Sequence, residues 1–289
     1  MLFVPQSGND FSAVLSYGTT RPVATGNFGT AITPGTGAAY GAYTQVGSDL
    51  TQDCYGLFIS VNNVFLAGTF RQAAIQIGVD YAGGTTFTTI AQDIMVSQAN
   101  AYGGGGGILF YFPLFIPVGA AVAVAARAST ATTFGVAIRY MTAPPNPTMV
   151  KRGSYIEPLG ITLGTGTVTG VSVTPGTTAE GAWTLIGTTT KRCWHWQFSC
   201  QHSDTTMTVL TYHLDIAVGD TTTVGDPKDI ISSDTIIGTG ANETFSISPL
   251  ITGVEKYVPA GKTIWARVQN SGANENAGTF QVAVYGTGG

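Results

Sequence analysis

Reactive side chains concentrate in one stretch, Cys193-Trp194-His195-Trp196-Gln197-Phe198-Ser199-Cys200-Gln201-His202, which holds two of the three cysteines and two of the three histidines of this 289-residue chain. On a strand Cys193 and His195 share a face, the beginning of a Cys/His metal site. The Cys-x-x-Cys or His-x-x-x-His spacings that close a zinc chelate are missing, so the stretch is expected to be a core strand that holds no metal. Hydrolysis would require an activated nucleophile beside a base, or two carboxylates facing a cleft. His195, His202 and His213 crowd into one half of the chain, and no Gly-x-Ser-x-Gly elbow occurs. The run Gly103-Gly104-Gly105-Gly106-Gly107 is not followed by the Lys-Ser/Thr of a phosphate loop and reads as a loop tip. Trp265 and Tyr43 are the aromatic side chains that would stack on a sugar if they were exposed. No catalytic residue, cofactor site or metal ligand is assigned, and the chain is expected not to be an enzyme.

The elements that carry these residues come in two copies. Ile32-Thr33-Pro34-Gly35-Thr36, followed by Tyr40-Gly41-Ala42-Tyr43-Thr44, matches Val173-Thr174-Pro175-Gly176-Thr177, followed by Glu180-Gly181-Ala182-Trp183-Thr184. Further along, Ile75 to Asp80 matches Leu214 to Asp220, and Asp93-Ile94-Met95 matches Asp229-Ile230-Ile231. The last third agrees best: Phe115-Ile116-Pro117-Val118-Gly119, Ala126-Arg127-Ala128 and Phe134 to Ile138 against Tyr257-Val258-Pro259-Ala260-Gly261, Ala266-Arg267-Val268 and Phe280 to Val284. The Asp residues that recur in both copies (Asp80 with Asp220, Asp93 with Asp229) are read as turn formers rather than as catalytic or calcium-binding groups. Cys54-Tyr55-Gly56-Leu57-Phe58 takes the place of the cysteine-histidine strand in the first copy, with a thiol but no histidine.

Within each copy the pattern is strand after strand. Val122, Val124 and Ala126 alternate with Ala123 and Ala125, and Ile264, Ala266 and Val268 alternate with Trp265, Arg267 and Gln269. That period of two buries one face and points Arg127 and Arg267 outward. Thr-rich runs such as Thr205 to Tyr212 favour strands because branching at Cβ suits a pleated surface. Turn residues return about every dozen positions, and no amphipathic helix of three turns is visible. The Pro-x-Gly pairs at Pro117–Gly119 and Pro259–Gly261 are expected to open a closing hairpin. The chain is therefore expected to be all-β, two tandem antiparallel β-sandwich modules of jelly-roll-like type related by internal duplication. Residues 1–25 form an N-terminal arm, 26–142 module one, 143–166 a linker that begins with Ala143-Pro144-Pro145-Asn146-Pro147, and 167–289 module two.

Composition bounds the partners. Charged residues are only 10% of the chain and hydrophobic ones 44%, so the surface is neutral and rich in hydroxyls. A net charge of −4 and a pI near 5.2, with no Lys/Arg stripe, argue against nucleic acid. Ile108 to Ala126 carries no charge, but Pro113, Pro117 and Gly119 interrupt it and its counterpart carries Glu255, Lys256 and Lys262, so no membrane span is expected. The start, Met1-Leu2-Phe3-Val4-Pro5-Gln6, lacks the basic and apolar regions of a signal peptide, and three unevenly placed cysteines suit reduced, buried thiols.

The hairpin Tyr257-Val258-Pro259-Ala260-Gly261-Lys262-Thr263-Ile264-Trp265-Ala266-Arg267-Val268-Gln269, with its counterpart in module one and the Gly/Thr-rich, charge-poor composition, resembles β-rich virion structural proteins of tailed bacteriophages. Module one departs from that pattern with Ala121-Val122-Ala123-Val124 where a more polar strand belongs. The resemblance implies a capsid decoration or cement, fibre or adaptor protein, made in the host cytoplasm and residing in the virion. Its partners would be itself, as a homo-oligomer with a trimer favoured, and other virion proteins. A double jelly-roll major capsid protein and a carbohydrate-binding or adhesin protein, with a surface glycan as partner, are the alternatives. The arm offers apolar Leu2, Phe3, Val4, Phe11, Val14, Leu15 and Tyr17 with only Asp10 and Arg21 as charges, and is expected to bind a neighbouring subunit or the particle.

Overall fold

The computed structural model describes residues 14–17, 29–62, 72–96, 108–130, 132–142, 153–165, 167–177, 179–202, 211–226, 228–238, 245–247, 254–270 and 280–289. Every regular element in them is a strand. Module one contains β1 (Val14–Tyr17), β2 (Thr30–Ile32), β3 (Gly35–Thr36), β4 (Thr44–Gln45), β5 (Gly56–Asn62), β6 (Ala73–Asp80), β7 (Thr88–Met95), β8 (Ile108–Phe112), β9 (Ala121–Ala128) and β10 (Phe134–Met141). Module two contains β11 (Tyr155–Leu159), β12 (Thr162–Gly164), β13 (Thr167–Thr169), β14 (Val171–Val173), β15 (Thr184–Thr188), β16 (Cys193–His202), β17 (Thr211–Gly219), β18 (Lys228–Gly238), β19 (Phe245–Ile247), β20 (Val254–Val258), β21 (Thr263–Asn270) and β22 (Phe280–Gly288).

Each module is two facing sheets. In module one the order β1-β10-β5-β8, with β2 also on β10, faces the order β3-β9-β6-β7, with β4 also on β9. In module two β11-β22-β16-β19, with β14 on β22 and β20 on β16, faces β15-β21-β17-β18. From β4 to β10 the chain changes sheet at every step except the β6–β7 hairpin, the winding of a jelly roll. Alternation supplies the core: Phe134, Val136, Ile138 and Tyr140 of β10 and Leu57, Ile59 and Val61 of β5 are all buried in one cluster. Each such side chain contributes about 1.5–3 kcal/mol by leaving water.

Register makes the duplication literal. Phe134 pairs with Ile32 as Phe280 pairs with Val173, and Val61 pairs with Val136 as Cys200 pairs with Val282. Cys54 bridges Ile116 as Cys193 pairs with Val258. Gly119 and Gly261 both sit at φ 84, a conformation that glycine alone adopts without strain, so the two Pro-x-Gly turns are equivalent.

Four expectations are corrected by the ladders. Thr44 and Ile77 pair with Val124, whereas Thr184 and Ile216 pair with Ala266, so the equivalent of Arg267 is Ala125 and Arg127 matches Gln269. Matching the two arginines had shifted the strand by one pleat, which preserves the facing pattern and so escapes notice in sequence. Val79 pairs with Thr88 as Val218 pairs with Asp229, so Asp229 corresponds to Thr88 and not to Asp93. The Pro-x-Gly turns do not open a hairpin: β9 and β10, like β21 and β22, lie in opposite sheets. Finally, Arg127 leaves the sandwich core but does not reach solvent, being 2% exposed.

What covers Arg127 is the hairpin β12–β13. The guanidinium donates to the Gly37 and Ala38 carbonyls at 2.8 and 3.1 Å, and to the carbonyls of Gly164 and Thr167 in that hairpin. The Val168 N–H also reaches Gln72 Oε1 at 3.0 Å. Within the stretch read as linker, β11 pairs with β22 as β1 pairs with β10. The backbone of Val14, Leu15 and Tyr17 thus lies along the chain's own module; Leu2, Phe3, Val4 and Phe11 lie outside the described residues.

Candidate functional site

The cysteine-histidine strand proves to be the hinge of the whole molecule, because its two faces serve two different cores. A bulge between Cys193 and His195 breaks the alternation, so Cys193, Trp196, Phe198 and Cys200 point into module two. The expected shared face of Cys193 and His195 is thereby lost. His195, Gln197 and Ser199 point the other way and are buried against module one. On the adjacent β22, Ala283 and Tyr285 do the same and join the core cluster of module one.

This seam is closed by specific contacts. The Tyr285 ring meets Phe110 and Phe112 edge-on, with centroids 5.9 and 6.3 Å away. Its hydroxyl accepts the Met95 N–H at 2.8 Å and lies 3.2 Å from Ser199 Oγ. β7 is the last strand of its sheet, so the phenol satisfies a backbone donor that no further strand serves. Gln197 Oε1 accepts the Tyr111 N–H at 3.2 Å, and His195 stands edge-on to the Tyr111 ring at 5.7 Å. Backbone bonds between Phe115 and Gly153 (2.9 Å) and between Gly153 and Pro113 (3.0 Å) complete the join.

The three thiols and His195 are not poised to react. Burial pushes the Cys54 thiol up to about 12, and burial together with the Glu157 carboxylate does the same to Cys193. Burial also raises Cys200 and lowers His195 to about 4, so at neutral pH all are uncharged packing groups. Glu157 is engaged in bonding the loop before β16, accepting from the N–H groups of Thr190 (2.5 Å) and Lys191 (3.3 Å). Asp80 acts as a turn former, accepting from Ala82 N–H at 2.9 Å and Thr86 N–H at 2.8 Å, bonds that hold its carboxyl below the usual range. Among the described residues no group of three His, Cys, Asp or Glu side chains could hold a metal. The glycine run Gly103–Gly107 lies outside the described residues, and His202 is described only in its backbone. No helix among the described residues is long and apolar enough to cross a membrane.

The expected sugar-stacking rings are also corrected. Trp265 is 1% exposed, because the Lys228 ammonium sits 4.1 Å above its ring and its Nε1–H donates to Thr263 Oγ1 at 2.8 Å. Tyr43 is half-buried against Phe87 and Thr89. Among the described residues the exposed rings are instead Tyr81 and Tyr257, at 54% and 61%.

Tyr257 stands at a cleft that sequence reasoning missed. It opens at one end of module two, between the β17–β18 connection and the β20–β21 turn, with a volume of about 510 Å³. Val218, Val258 and Pro259 form its apolar part. Asp220, Lys228, Asp229, Lys256 and Lys262 form its charged part, with two ion pairs among them: Lys262 with Asp220 at 2.5 Å, and Lys256 with Asp229. Four of the five lysines of the chain, Lys191, Lys228, Lys256 and Lys262, belong to this end of the module. The sequence signal was available: these charges occur in one copy of the duplication only.

No protein-family model matches the sequence, and a search of curated proteins finds no match. Among solved structures the chain is similar to the STIV MCP, at 10% identity over 89% of this chain and 95% of that one, with a TM-score of 0.30. It is similar to the tandem CBM22-1-CBM22-2 domain of Paenibacillus barcinonensis Xyn10C, at 11% identity over 96% and 92% of the two chains and a TM-score of 0.27. A structure of infectious bursal disease virus, Gx strain, is similar at 12% identity over 96% of this chain and 72% of that one, with a TM-score of 0.26. Likenesses at this level carry no argument about what the chain does.

Proposed function

We propose that this chain is a structural subunit of a virion, of the tailed-bacteriophage type that its sequence resembles, and that it works by protein–protein assembly, first with itself. The observation that carries the reading is the seam. Two jelly rolls joined by a buried aromatic and polar interface make one stiff double-width block, the kind of unit from which shells and attachments are built. Of the groups that could have been reactive, Cys193 and Cys200 pack into module two and His195 into the seam.

Duplication also leaves a counterpart of the seam that no described residue fills as module one fills the seam itself. The face of β10 and β5 that corresponds to the one module two presents to module one carries half-buried Phe58, Ser60 and Ala137 and exposed Arg139. An exposed sheet face of this kind, on a surface with few charges to keep copies apart, favours self-association. Among the described strands β18, the counterpart of β7, is the last of its sheet, with an edge that none of them pairs. Multi-angle light scattering of the full chain tests the reading: an oligomer, with a trimer expected, supports it, and a clean monomer at micromolar concentration counts against it. Copy number per particle then separates decoration, fibre and shell.

A further inference from the structure

The cleft of module two is not required by the fold, and the duplication demonstrates it. The elements that shape the turn recur in both copies: Pro117 and Gly119 match Pro259 and Gly261, and Ile116 matches Val258. The polar groups do not. Lys256 stands where module one has buried Leu114, Lys262 where it has buried Ala120, and Asp229 where it has Thr88; the ladders align Asp80 with Gly219, correcting its match to Asp220, which falls where module one has Tyr81. A jelly roll therefore folds without these side chains, and module two has acquired them around a concavity large enough for a small ligand.

Their arrangement specifies the ligand class. Lys228 is occupied, donating to the Thr223, Val224 and Asp226 carbonyls at 3.2, 2.7 and 2.9 Å. The other two ammonium groups of the lining, Lys256 and Lys262, are each paired with a carboxylate, so an anion entering the cleft finds every ammonium already engaged and a cation finds both carboxylates already paired. A neutral ligand that both donates and accepts hydrogen bonds meets no such conflict. Asp220 and Asp229, with side chains 82% and 72% exposed, have lone pairs free for hydroxyl donors, and Lys256 and Lys262 can donate to hydroxyl oxygens. Beside them the Tyr257 ring offers an exposed flat apolar face of the kind that packs on the C–H face of a pyranose. We propose that this cleft binds a neutral saccharide, with Tyr257 as the stacking platform and the Lys256–Asp229 and Lys262–Asp220 pairs as hydroxyl ligands. The site is independent of whether the chain assembles.

The experiment is an array of neutral hexose, 6-deoxyhexose and N-acetylhexosamine oligosaccharides beside sulfated and sialylated counterparts, probed with the full chain, followed by NMR titration of the best neutral binder. Binding of a neutral saccharide is expected, weakened about tenfold or more by Tyr257→Ala and by Asp229→Asn and retained by Tyr257→Phe. Thermal unfolding should not move with Tyr257→Ala, because the ring is exposed, so lost binding cannot be ascribed to misfolding. Absence of binding to every neutral saccharide at about 10 mM, a preference for the anionic counterparts, or undiminished binding by Tyr257→Ala each overturns the assignment.

Discussion

Removing one oxygen atom from the seam, with Tyr285→Phe, should weaken the whole molecule. Tyr285 is fully buried, and its ring contacts with Phe110 and Phe112 survive the change. What is lost is the acceptor for the Met95 N–H and the partner of Ser199 Oγ. A buried backbone donor left unpaired costs about 1–3 kcal/mol, whereas the phenol's own hydrogen bonds would have contributed only about 1 kcal/mol net. The expected loss is therefore about 2 kcal/mol, which for a chain of this size lowers Tm by about 3 °C. Denaturant unfolding followed by near-UV signals from both modules is the assay. Because the oxygen belongs to module two and the N–H to module one, a coupled molecule shifts as a single transition. A loss below about 0.5 kcal/mol, or two transitions of which only one moves, would refute the inference that the seam joins the modules into one unit.

Two further outcomes follow from the buried groups beside the seam. His195 is held neutral, its pKa lowered from 6.5 to about 4, so the unfolded chain binds the extra proton between those values. The histidine leaves stability unchanged above pH 6.5 and lowers it as pH drops toward 4, by up to about 3 kcal/mol, and urea titrations at a series of pH values should find that slope flattened in His195→Gln. Arg127→Met leaves carbonyls of Gly37, Ala38, Gly164 and Thr167 without their donor, at a cost of about 1–3 kcal/mol, and limited proteolysis should then cut between residues 160 and 170 where the parent resists; equal resistance would mean that the hairpin is held by other contacts.

The duplication was legible in the sequence because both its signals are local: Cβ-branched residues alternating along strands, and a Pro-x-Gly turn that leaves Gly119 and Gly261 in the same conformation. Register was less legible, since sliding β9 by two residues keeps every side chain on its own face, and Arg127 offered a false anchor against Arg267. The seam was hidden for a different reason. His195, Gln197 and Ser199 look like the solvent side of an amphipathic strand, and only module one, brought against them by the fold, makes that side an interior. The bulge at Cys193–His195 likewise has no local signature, because it follows from β20 and β22 sharing β16. The cleft is legible in the sequence only by subtraction, from Lys256 and Lys262 at positions where module one has Leu114 and Ala120, and that requires the register which the ladders supply.

The most direct test of the assembly reading is the mass of the purified full chain in solution, measured by light scattering across the micromolar range. The account predicts a homo-oligomer, with three copies expected, that comes apart when Arg139 and Phe58 on the uncovered face of module one are both changed to Glu. A chain that stays monomeric throughout that range, or an oligomer indifferent to those two changes, would contradict it.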